Sequence, residues 1–163
     1  MEVTYENIVK WLNAYYQDFN KSAGPLKTAQ NMEKYFTPDL QFWPYNMSGT
    51  TAPMSREGLL MTMVHPGLHE ELTPREYIID LKRMVVVVLF QLQFTDEPSG
   101  RVWPAKLASC HYHLALDKKK ELKIKKIVYF TERAAPEEAK SGEEMMALWA
   151  KYREKALKEH GGK

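Results

Sequence analysis

His111 and His113 stand two residues apart in the stretch Ser109-Cys110-His111-Tyr112-His113-Leu114. On a strand, that spacing sends both imidazoles and the Ser109 hydroxyl out of one face. Cys110, Tyr112 and Leu114 leave by the other. Imidazole gains and loses a proton near neutral pH, so a pocket lined by this face would hold a general acid or base beside an orienting hydroxyl. Alternation alone allows the opposite setting, with the apolar residues on the core and the histidines in solvent. A His-x-His pair can also give a metal ion two ligands, with His65 or His69 as a third. Nothing in the sequence brings those residues together, and no metal is expected. His65 and His69 flank Pro66-Gly67 and read as part of a solvated loop.

Aromatic residues are plentiful: Trp11, Tyr15, Tyr16, Phe42, Trp43, Tyr45, Trp103 and Tyr129. They suit either a packed core or the wall of a pocket for a flat apolar molecule. Met54, Met61 and Met63 would form an adaptable rim, and Gln91 and Gln93 would sit at its mouth.

The elements that must position these groups follow from periodicity. Tyr5, Ile8, Val9, Leu12, Tyr16 and Phe19 recur at helical spacing, with Thr4 as cap and Gly24-Pro25 as stop. A shorter helix carries Leu26, Ala29, Met32, Tyr35 and Phe36 and ends at Thr37-Pro38. Asp39 to Tyr45 reads as a strand, 46–53 as a polar loop, and Ser55 as the cap of a third helix bearing Leu59, Leu60, Met63 and Val64. Strands are then expected over Glu76–Ile79, Met84–Phe94, Ala105–Leu116 and Leu122–Thr131. Their short connections favour hairpins and an antiparallel sheet. The adjacent Lys125-Lys126 break the alternation of the last strand, and a β-bulge there would return Ile127, Tyr129 and Thr131 to one face. Met84 to Phe94 is apolar on both faces, so both must be covered. If a second subunit or the C-terminal helix covers the outside, Tyr112 can be buried there while His111 looks inward. That helix has capping-box spacing at Ser141 and Glu144, a stripe of Met145, Leu148, Trp149 and Tyr152, and an end at His160-Gly161-Gly162.

The chain has 163 residues with 44% hydrophobic and 27% charged content and a net charge of +2, the profile of one globular domain. So small a charge gives no case for nucleic acid or an anionic membrane surface, and Lys118-Lys119-Lys120 reads as a solvated hairpin. The lone Cys110 excludes an internal disulfide, and neither a leader nor a long apolar run is visible, so a cytoplasmic setting is expected.

Three motifs fall in a telling order. Tyr35-Phe36-Thr37-Pro38-Asp39-Leu40 resembles the entry to the first strand of the nuclear transport factor 2-like superfamily. Ser55-Arg56-Glu57-Gly58-Leu59 resembles the start of its third helix, and Leu122 to Phe130 its closing strand. The resemblance covers roughly residues 5 to 132. It implies an α+β, cystatin-like cone over residues 1–134, a curved antiparallel sheet around N-terminal helices with an internal pocket, followed by a helical extension over 135–163. It also implies function of two open kinds: a SnoaL-like small-molecule site, including cofactor-independent dehydratases, cyclases and isomerases, or a non-catalytic binding or assembly module. Against ketosteroid isomerases, Tyr15 matches the helix tyrosine, but Trp43 stands where they carry a catalytic aspartate. Against scytalone dehydratase, Ser109 and His111 match polar pocket positions. The implied site is therefore His111, Tyr15 and Ser109 for chemistry, with Trp11, Trp43, Tyr45, Met63, Gln91, His113 and Tyr129 around a small apolar ligand. No cofactor is implied, and a homodimer through the sheet face is.

Overall fold

The computed structural model describes residues 2–22, 26–45, 52–132 and 138–160. The expected breaks at Gly24-Pro25, at 46–51 and at Gly161-Gly162 lie outside these residues. Helix α1 (Tyr5–Ser22) opens on Thr4, whose hydroxyl accepts from the Asn7 amide at 3.2 Å. A short α2 (Leu26–Asn31) and a 3-10 turn (Met32–Tyr35) lead into β1 (Phe36–Pro44). Ser55 caps α3 (Arg56–Thr62), accepting from the Gly58 amide.

Four further long elements follow: β2 (Leu68–Asp80), β3 (Val85–Asp96), β5 (Lys106–Leu116) and β6 (Leu122–Thr131), with a two-residue β4 (Arg101–Val102) beside β3. Their order is β1-β6-β5-β3-β2. All pairs are antiparallel except β1 with β6, which run parallel, so the sheet is mixed rather than wholly antiparallel. The second strand begins at Leu68, well before the expected Glu76. Leu68, Glu70 and Leu72 alternate on its inner face, and the charged neighbours conceal that period. A bulge at Arg75 then restores the register beyond Pro74. The bulge expected in the last strand is present: His113 pairs with Lys126 and Leu114 with Ile124, leaving Lys125 over.

The core lies between α1 and the inner face of the sheet. Ile8, Leu12, Tyr15, Tyr16 and Phe19 from the helix meet Val86, Val88, Phe90, Tyr112, Leu114, Ile124 and Ile127. The last helix, α4 (Ala139–His160), begins before Ser141, so that residue is inside the helix and does not cap it. It packs at one end of the sheet. The Trp103 indole donates to the Ser141 carbonyl at 3.1 Å, Tyr152 donates to Asp96 at 2.7 Å, and Ala156 is buried in the core. Gly67 has φ +100° and the Tyr152 ring would lie 3.1 Å from any Cβ there, so both the turn and the helix contact require glycine. No helix among the described residues is long and apolar enough to cross a membrane.

Candidate functional site

The structure turns β5 the opposite way from the expected one. Cys110, Tyr112 and Leu114 are buried beneath α1, while Ser109, His111 and His113 stand partly exposed on the outer face. The reason is the partner. Helix α1 offers a continuous apolar stripe with two buried phenols, Tyr15 and Tyr16, and the Tyr112 side of β5 matches it. The two phenols hydrogen-bond at 2.9 Å in the buried interior. His111 therefore does not meet Tyr15, and the triad of His111, Tyr15 and Ser109 is not assembled. Burial, followed by the charges of the nearby lysines 126 and 125, lowers the His113 pKa and keeps that ring neutral.

Tyr15 is itself buried. Its ring packs edge-on against Tyr16 and Tyr35, both at 5.2 Å, and against Tyr112 at 5.9 Å. Burial pushes the Tyr15, Tyr16 and Tyr112 phenols well above their ordinary range, and the Cys110 thiol up to about 12. These groups stay protonated, so they donate hydrogen bonds and do not act as bases. Met63 belongs to this packed layer, and Trp11 lies half-buried at its edge, 5.5 Å from the Tyr35 ring.

Trp43 and Tyr45 lie on the outside. Their rings stack at 6.1 Å, Tyr45 stacks on Phe130 at 5.3 Å, and His111 lies 5.6 Å from Phe130. Gln91 is also outward and is held by Arg75. Of the residues expected around a ligand, Tyr129 does face inward, half-buried between Phe42 and Phe90.

The inward-facing groups with charge are ones that sequence reasoning missed. His65 follows α3, is 0% exposed, and brings Nδ1 to 2.8 Å from the Leu68 carbonyl. A carbonyl only accepts, so Nδ1 carries the hydrogen. Its Nε2 faces Glu70 Oε2 on β2 at 3.3 Å, an ion-pair distance, and makes no well-formed hydrogen bond among the described residues. Burial works against charging this ring, but the Glu70 carboxylate and then the Leu68 carbonyl outweigh it, and the His65 pKa is raised. Glu70 keeps 18% of its side chain exposed, and its charge reaches Tyr15, Cys110 and Tyr129. Burial, reinforced by that charge, also raises the Tyr129 phenol.

Helix α4 lies beside this pair, with the Trp149 ring 6.4 Å from the His65 ring and Arg153 stacked on Trp149 at 5.2 Å. The partly open inner positions Glu70, Phe94 and Tyr129 thus mark the wide end of the cone, and α4 runs across that end. The one sequence signal for it was the alternation Leu68-x-Glu70-x-Leu72, which places a carboxylate on a buried face. The inner His65 and the outer His111 and His113 cannot share a metal ion. Among the described residues no three His, Cys, Asp or Glu side chains are grouped to hold one.

No protein-family model and no curated protein matches the sequence. Solved structures do. ActVI-ORFA from Streptomyces coelicolor superposes with a TM-score of 0.61 at 10% identity, over 80% of this chain and 98% of its own. A nuclear transport factor 2-like protein from Anabaena variabilis gives 0.58 at 13%, over 82% and 96%. A Catenulispora acidiphila protein solved in complex with S-DNPA gives 0.55 at 15%, over 78% and 92%. The fold is that of the nuclear transport factor 2-like superfamily, an α+β cone with its sheet around the N-terminal helices.

Proposed function

We propose that this protein binds a small, largely apolar organic molecule at the wide end of its cone. The observation that carries the reading is the charged pair His65–Glu70 on the inner face, set among apolar and phenolic side chains. Ligand sites combine just such a wall with a few converging polar groups. The S-DNPA complex of a structural neighbour fits this reading. The narrow end serves as a rigid floor, and specificity falls to Glu70, Phe94 and Tyr129. Acid/base catalysis by a cofactor-independent dehydratase, cyclase or isomerase is the enzymatic form of the same reading; a carrier or sensor of the ligand is the other.

Titration of the purified chain with 2-naphthol, followed by fluorescence, tests it. Saturable binding that weakens when Tyr129 is changed to Ala supports the site. Binding that is absent, or indifferent to Tyr129, overturns it.

A second reading concerns the outer face, and the two are compatible. Val85, Val87 and Leu89 form an apolar middle, with Ile78 61% and Phe130 37% exposed. Glu71 and Glu76 lie toward the β2 side and Lys126 toward the other. A two-fold axis through the middle would lay the acidic side of one copy on the basic side of the next, so the face is self-complementary and suits a homodimer. Light scattering should return twice the 19.0 kDa chain mass and fall to the monomer on Ile78→Asp; a monomer throughout would end this reading.

A further inference from the structure

Resting on the ligand-binding reading of the wide end, we propose that the ligand is a flat aromatic carboxylic acid and that Arg153 of α4 holds its carboxylate.

Trp149, Tyr152, Arg153 and Ala156 recur at i, i+3, i+4 and i+7, so they share the side of α4 that meets the cone. Three of the four have an evident place there. Ala156 is buried in the core, Tyr152 donates to Asp96 at 2.7 Å, and the Trp149 ring lies 6.4 Å from the His65 ring. Arg153 is the fourth. It is partly buried, and its guanidinium lies over the Trp149 ring at 5.2 Å. Its Nε is sealed from solvent and has no hydrogen-bond partner among the described residues.

The other described arginines are all engaged. Arg56, Arg83 and Arg101 each bring a guanidinium nitrogen to 2.9 Å from a carboxylate, and Arg75 holds Gln91. Around Arg153 the carboxylates already have partners. Glu70 faces His65 at 3.3 Å, Asp96 accepts from Tyr152 and Ser99, and Glu154 pairs with Lys158 at 2.7 Å. Nor can α4 supply an acid of its own. The positions one turn from Arg153 are Trp149, Ala150, Ala156 and Leu157, and none carries a charge.

A partly buried cation without a counter-ion is unfavourable. Stacking on Trp149 offsets part of that but leaves the Nε hydrogen unmatched. A ligand carboxylate completes the pair, because the planar guanidinium fork meets it through two parallel hydrogen bonds. Phe94 and Tyr129, with Trp149, supply the wall for a flat apolar body. Glu70 would repel an acid placed beside it, but His65 offsets that charge. The carboxylate end of the ligand therefore lies toward α4 and its rings toward β3 and β6.

Titrating the full chain at neutral pH with 2-naphthoate, 2-naphthol and methyl 2-naphthoate tests this, since the three share one ring system and differ in charge. The acid should bind about 10-fold or more tighter than either neutral compound, the size of a charge-assisted pair. Arg153→Lys keeps the charge and loses the fork, so it should keep only part of the preference; Arg153→Gln should erase it. Ala150→Glu is a second route that leaves Arg153 in place. Position 150 is exposed, and a glutamate there stands one turn from Arg153 and competes with the ligand for it, so the preference should fall. The inference is overturned by equal affinity for acid and ester in the wild type, or by a preference that persists in both Arg153→Gln and Ala150→Glu. Naphthol binding without preference for the acid sinks this inference and spares the binding reading. Binding of none of the three compounds ends both.

Discussion

The two faces of β5 put their polar side chains to different use. On the inner face the Tyr112 hydroxyl hydrogen-bonds the Tyr16 hydroxyl, with Tyr15 and Cys110 beside it, in the buried interior. On the outer face, His111 and His113 remain partly hydrated among valines and Phe130. A polar group that is buried must be matched, and so it dictates which helix lies over it; one that stays wet dictates nothing. The strand's orientation was therefore decided by its phenol and not by its imidazoles.

The comparison can be broken from the inner side first. Tyr112→Ala should cost about 3–5 kcal/mol in urea unfolding, since it removes a large buried ring and strands the Tyr16 hydroxyl. A loss within about 0.5 kcal/mol, the size of an ordinary surface change, would mean the face is not packed as described. Tyr112→Phe isolates the hydrogen bond and should cost about 1–2 kcal/mol. Adding Tyr16→Phe should cost little more, because it removes the stranded partner. A double mutant that loses twice as much would show that the two hydroxyls act separately.

The wide end sharpens the contrast through pH. The folded-state pKa of His65 lies above its ordinary 6.5. Its ion pair with Glu70 therefore stabilises the fold fully below about pH 6.5 and loses that contribution as pH rises through the raised value. The stability gap between wild type and His65→Asn should be widest under mildly acidic conditions and narrow on the alkaline side. A gap that widens with pH would show the sign to be reversed. The smallest effect belongs outside. His111→Ala should change unfolding free energy by no more than about 0.5 kcal/mol at concentrations where the chain is monomeric.

Much of the fold was legible in the sequence because its signals are local. The stripe from Ile8 to Phe19, the caps at Thr4 and Ser55, the run from Met84 and the doubled lysines at 125 and 126 each carry their own reading. The site was less legible because its signals are not local. Alternation on β5 divides the residues into two sets but does not say which set is inside; that depends on a phenol in α1. Pro74 and the polar run at 69–71 masked the strand that carries Glu70. His65 looks like a loop histidine until α4, far along the chain, folds beside it. The capping-box spacing at Ser141 misled for a related reason: the helix begins upstream, and the Ser141 carbonyl serves Trp103 instead.

The most direct trial of the claim that chemistry belongs to the inner pair, and not to the outer histidines, is an NMR titration of the imidazole nitrogens with 2-naphthol. The His65 nitrogens should shift in step with occupancy while those of His111 and His113 stay still. Movement at 111 or 113 with a silent His65 would place the ligand on the opposite side of the sheet and contradict the site described above.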